Sequence, residues 1–281
     1  MIKIDGFIIN LYENFYININ RIKYDLILLN LLERNIKYII MKNAILISLI
    51  CLFINSCQPT EENLETRIEL SFSHHVNGSQ LSTDSMTHTN AAGEKFNVKT
   101  LDYLLSDITL HNEDGSSVLL KEMQYVNINE ASSLYFESDI IENGSYNALS
   151  FRFGLDTIKN ISNNYVNENF HSSMAWPEMM GGGYHYMKLE GAFTNDSTFY
   201  NTHTGGSMGM DFSFSKSLDI NGLDIDNNSE NKGLMINMDL NNWYQNPHTI
   251  NLAPAIMMDM TKQMQLMNNG MNDVFSVTYL Y

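Results

Sequence analysis

With 281 residues, 44% of them hydrophobic, 17% charged and a formal charge of −16, the chain has the apolar content of one large or two small globular domains. The acidic balance excludes nucleic acid and anionic membrane surfaces as partners, because both require a basic face and no Lys/Arg-rich run provides one. Two cysteines, Cys51 and Cys57, lie six positions apart, so any disulfide or multi-thiolate metal site elsewhere in the chain is excluded.

Residues 1–40 are crowded with Ile, Asn, Tyr and Leu. They read as an upstream extension, with translation beginning at Met41. From Met41 the chain runs through a lysine and a short apolar segment to Leu52, Ile54, Ser56 and Cys57. A basic start, an apolar stretch too short to span a bilayer and a small residue before cysteine describe a lipoprotein signal peptide over 41–57. Cys57 is then the lipidated residue, and the N-terminal lipid is the expected membrane contact. The expected location is the bacterial cell envelope, with an outer-membrane anchor facing the periplasm or the cell surface. Residues 58–66 are polar and read as a tether to a single domain over 67–281.

Within that domain, Ile68, Leu70, Phe72 and His74 alternate with polar residues, the period-2 pattern of a half-buried strand. Asp114-Gly115 sits where a hairpin turn joins "LDYLLSDITLHN" to "SSVLLKEMQYVNI". Leu149, Phe151 and Phe153 alternate next, then Met208, Met210, Phe212 and Phe214, then Leu234, Ile236, Met238 and Leu240. At least seven strands and one convincing helix predict a mainly β protein, an antiparallel β-sandwich with a C-terminal helix. Met260, Met264 and Met267 recur at helical spacing and predict that helix's buried stripe, with Gly270 as its C-terminal cap.

No phosphate loop, dinucleotide fingerprint, nucleophile elbow or zinc-protease motif is present, so the chain is expected not to be an enzyme. Its histidines carry more information. His74 is in phase with an apolar strand face, His185 with Met187 and Leu189, and His203 with Phe199. Three buried imidazoles need partners, and a metal would satisfy all three at once. Imidazole suits copper and zinc, and the Met187 thioether would favour Cu(I) as a fourth ligand. Glu178 and Glu190 are candidates for the acceptors that orient the histidine rings.

"LSFSHHVNG", "THTNAAGEKFNVKTLDYLLSDITLHNEDGS", "FRFGLDTIKNIS", "AWPEMMGGGYHYMKLEG" and "NTHTGG" occur in an order that resembles the MbnP-like family, methanobactin-operon-associated proteins and related bacterial lipoproteins. The resemblance covers residues 67–281. It implies a β-rich envelope protein that binds copper, with His74, His185 and His203 at the family's histidine positions and Trp176 at the position of a tryptophan that some members oxidise. It also implies a di-haem oxidase or a TonB-dependent receptor as candidate partners. The chain departs from the family's "W-x-W" pattern around Trp176, which leaves that residue either a packing group or a modified one. Two functions are therefore expected in turn: a lipid-anchored, non-catalytic copper protein for acquisition, storage or delivery, or a metal-free envelope module that binds a partner protein or an organic ligand.

Overall fold

β1 (Ile68–Val76) alternates buried and half-buried residues along all nine positions, so Ile68, Leu70, Phe72 and His74 enter the interior as the spacing predicts. In the computed structural model, which describes residues 3–54, 65–83, 85–194, 196–226 and 228–281, it is followed by twelve further strands. These are β2 (Ser79–Gln80), β3 (His88–Thr89), β4 (Lys95–Phe96), β5 (Thr100–Asn112), β6 (Ser117–Asn127), β7 (Tyr135–Glu137) and β8 (Gly144–Phe153). After a long excursion come β9 (His185–Phe193), β10 (Thr198–Gly205), β11 (Phe214–Ile225), β12 (Lys232–Asp239) and β13 (Phe275–Tyr279).

One sheet runs β13-β12-β1-β2, with β7 also on β1; the other runs β11-β8-β5-β9-β4-β3, with β6 on β5 and β10 on β9. Together they form a sandwich-like, mainly β domain. The long β5 organises the larger sheet. β6 pairs with most of its length, while Thr100–Tyr103 pairs with β9 and Leu105–Asn112 with β8. The pairings are antiparallel except β1 with β12, which is parallel. No hairpin has to join those two strands, because most of the domain lies between them and serves as the crossover. Between the sheets, Phe153 stacks on Tyr103 at 6.1 Å and on Phe214 at 5.2 Å, and tilts against Trp243 at 4.9 Å.

Two expectations are corrected. Met208 and Met210 do not begin a strand; Met208 and Gly209 have positive φ and form a tight turn closed by the Ser207–Met210 bridge, and β11 begins at Phe214. The C-terminal helix α2 (Met260–Asn272) buries Gln263, Leu266, Asn269 and Gly270 and leaves Met264 exposed. Gly270 lies inside this helix and not at its cap, because Phe214 and Trp243 pack where a β-carbon would stand.

The chain divides into two compact units, Met1–Glu61 and Glu62–Tyr281. The first is built on a continuous helix, Lys3–Ile54, with no break at Met41. Large apolar side chains such as Leu28, Leu32 and Ile40 are exposed along it. No helix among the described residues is long and apolar enough to cross a membrane. Cys57 and most of the tether lie outside the described residues.

His74 reaches across the interior to Tyr103, with Nε2 3.0 Å from the hydroxyl, and burial lowers its pKa to about 4. The unfolded chain would protonate this ring near pH 6.5, so protons favour unfolding between those two values. The stabilisation is complete above pH 6.5 and is lost as pH falls towards 4. Between pH 7.5 and pH 5, urea unfolding should show wild type losing roughly 2 kcal/mol more than His74→Gln. Equal losses would contradict a buried, neutral His74.

Candidate metal centre

The stretch Ala175–Gly191 closes the excursion between β8 and β9, and its three glycines each have a conformational reason. Gly181, Gly182 and Gly183 take φ of 121°, 70° and 87°, a left-handed run that side chains resist. Behind them, Ser162 Oγ accepts from the Gly183 N–H at 2.8 Å, and Asn160 Oδ1 accepts from the Tyr184 N–H at 2.7 Å, both close enough to exclude a β-carbon. Pro177 at φ −60° leads into the turn. The chain then folds back on itself: the Trp176 N–H donates to the Gly183 carbonyl at 2.9 Å, and Ala175 bridges Tyr184. This brings the Trp176 indole edge-on to the His185 ring, with centroids 4.7 Å apart.

Strand alternation alone would leave His185 on the interior side with Met187 and Leu189. β10 pairs regularly with β9 through His203 opposite Lys188 and Thr204 opposite Met187; the next pair is Gly205 opposite His185, which leaves Tyr186 unopposed. One extra residue reverses the side-chain phase. His185 therefore emerges beside His203, at 4.9 Å between centroids and nearly perpendicular. Tyr186 is held in the bulge by its ring on Gly154 and by its hydroxyl, which donates to Asp211 Oδ1 at 2.9 Å. The glycine of "HTG" has a matching role, because the Trp176 ring lies 2.7 Å from where a Gly205 β-carbon would be.

Hydrogen bonding orients both rings. His185 Nδ1 is 3.1 Å from the Met174 carbonyl, which can only accept, so Nδ1 carries the proton and Nε2 a lone pair. That Nε2 is buried without a partner, as is Trp176 Nε1. Burial, then the neighbouring His203, lowers the His185 pKa to about 3 and keeps the lone pair free. His203 Nε2 donates to Glu190 Oε1 at 2.7 Å, which leaves Nδ1 as the nitrogen that the neutral ring would offer to a metal. The same bond is the first cause of a lowered Glu190 pKa. Two imidazoles thus adjoin under an indole, each oriented by an oxygen acceptor, the arrangement that metal-binding histidines favour.

The MbnP family model matches residues 65–260. The chain belongs to the MbnP family. Among solved structures it is similar to MbnP from Methylosinus trichosporium, with a TM-score of 0.53 and 11% identity over 77% of this chain and 99% of that one. No curated protein matches.

Of the candidate site residues, the structure brings together His185, His203, Trp176 and Glu190. His74 lies elsewhere, bonded to Tyr103 between the sheets. Met187 is fully buried in the hydrophobic core, on the face that Thr202 and Thr204 share and away from the side of His203. Glu178 is exposed and packs over Gly182, away from the imidazoles. His203 is half-buried on the sheet face opposite Tyr200 and Thr202, so its side is not the apolar one that Phe199 led the sequence to predict; Phe199 itself is 62% exposed. Among the described residues, no three His, Cys, Asp or Glu side chains are gathered to hold a metal ion, so two imidazoles define the centre. The Met174 carbonyl and Gly205 complete it. The carbonyl leaves no side-chain signature, whereas the glycine is visible in "HTG".

Gly205→Ala should displace the Trp176 indole. The expected results are a loss of roughly 1–3 kcal/mol in chemical denaturation and a red-shifted Trp176 emission in a Trp243→Phe background. An unshifted spectrum at wild-type stability would contradict the packing.

Proposed function

We propose that this chain is a copper-binding protein of the cell envelope that acquires, stores or delivers the metal without catalysing a reaction. The observation that carries the reading is the unpartnered, buried Nε2 of His185 beside the His203 ring. A buried nitrogen lone pair with no donor costs about 1–3 kcal/mol, and a metal ion would recover that cost. The donor set fits copper: imidazole nitrogens are good ligands for it, and a site with two of them, no carboxylate and no thiolate suits Cu(I) better than a hard cation.

His185 would hold the metal through Nε2 and His203 through Nδ1. Copper bound there would supply a soft, redox-active centre. The Met174 carbonyl and the Glu190 carboxylate orient the two rings, and Trp176, 2% exposed, shields them from water. Envelope placement rests on the signal-like segment from Met41 to Cys57, with Cys57 as the lipid-bearing residue.

Copper affinity measured by competition with a chromophoric chelator tests the assignment. His185→Ala and His203→Ala should each abolish binding at the centre, and Glu190→Gln should weaken it roughly 10–100-fold. His74→Ala and Met187→Leu should leave its stoichiometry unchanged. Full copper loading in His185→Ala would overturn the reading.

A further inference from the structure

A second feature lies one residue beyond Gly205. A cleft of about 130 Å³ opens between the glycine turn and the segment after β10, lined by Gly181, Gly182, Gly206, Ser207, Met210 and Asp211 among others. The two loops are joined directly, the Met208 N–H donating to the Met180 carbonyl at 3.0 Å. The large apolar side chains that these two loops expose are Met179 at 85%, Met208 at 70% and Met210 at 44%, while the third wall, through Thr157 and Asn160, carries the exposed Ile158 and Ile161.

Met208 occupies a backbone position that opposes it. At φ 52°, followed by Gly209 at 81°, it sits where a two-residue turn favours Asn or Gly, and a long side chain there is strained. A turn that needed only its geometry would not place methionine there. Thioethers are soft ligands that select Cu(I), and beyond Cys57 the chain has no thiol to offer in their place. Met179 is one residue, about 3.8 Å of chain, from the Met180 carbonyl that Met208 binds, so flexible methionine side chains from both loops can converge.

We propose that Met179, Met208 and Met210 form a second, solvent-facing Cu(I) site that captures the ion beside the buried histidine pair. This rests on copper being the metal of the protein. Capture and release here need no redox step, because a soft monovalent ion exchanges thioether and solvent ligands without a change of charge.

The test is anaerobic Cu(I) titration of the full chain against a chromophoric chelator. Wild type should bind two equivalents, and the triple variant Met179→Leu, Met208→Leu, Met210→Leu should bind one. The double variant His185→Ala, His203→Ala should retain the thioether equivalent. Leucine preserves the apolar surface, so a loss in the triple variant reports sulfur ligation and not docking. With Ag(I) as a redox-inert probe, the methyl NMR signals of Met179, Met208 and Met210 should shift while those of exposed Met258 and Met271 stay in place. Two equivalents in the triple variant, or equal shifts at all five methionines, would overturn the proposal. Binding of one equivalent by wild type that disappears in the triple variant would instead refute the histidine centre and leave this site standing.

Discussion

A single register slip between Thr204 and Gly205 sets what the larger sheet can do. Were β9 and β10 paired without interruption, His185 would face inward with Met187 and Leu189, and His203 would face outward with only the Glu190 carboxylate. With Tyr186 as the extra residue, His185 crosses to the outer face, where the returning Trp176 segment covers it. The bulge is held from several sides: the Tyr186 ring fills the space over Gly154, Asp211 accepts from its hydroxyl, and Asn160 supports both that hydroxyl and the neighbouring glycine turn. Such irregularities bend a strand to re-aim a side chain.

The energetics of the centre follow from that placement. Bringing two imidazoles together under an indole removes them from water, and the protein offsets this by giving each ring one acceptor, a carbonyl for His185 and a carboxylate for His203. The remaining nitrogen of His185 and the indole Nε1–H of Trp176 are left without partners. Buried polar atoms without partners are uncommon in folded proteins, and here two of them lie in touching side chains. His74 is the contrasting case: equally buried and equally deprived of its proton, it is satisfied by Tyr103 and works as a structural link between the sheets.

Much of this architecture was legible in the sequence, because half-buried strands advertise themselves by period. β1, β8 and β12 follow their alternation; the family motifs pointed to His185, His203 and Trp176, though also to His74, and the need to orient the rings pointed to Glu190. What was not legible has a common cause. Period-2 reasoning assumes an unbroken pleat, so it put His185 with Met187, took Met208 and Met210 for strand residues and set His203 on an apolar face. Bulges and left-handed turns are set by contacts distant in sequence, such as Tyr186 on Gly154, which a local pattern does not carry. In α2, methionines at helical spacing suggested the buried stripe, but the helix buries Gln263 and Asn269 through hydrogen bonds to the His203, Trp243 and His248 carbonyls.

The account turns on the protonation of His185 in the metal-free protein, which nitrogen-15 NMR of the imidazole reads directly. With Nδ1–H committed to the Met174 carbonyl and Nε2 buried, His185 should appear as the Nδ1-protonated tautomer and remain neutral from pH 7.5 down to pH 5. A ring protonated at Nε2, or one that titrates near 6.5, would contradict the orphaned lone pair from which the copper assignment is argued.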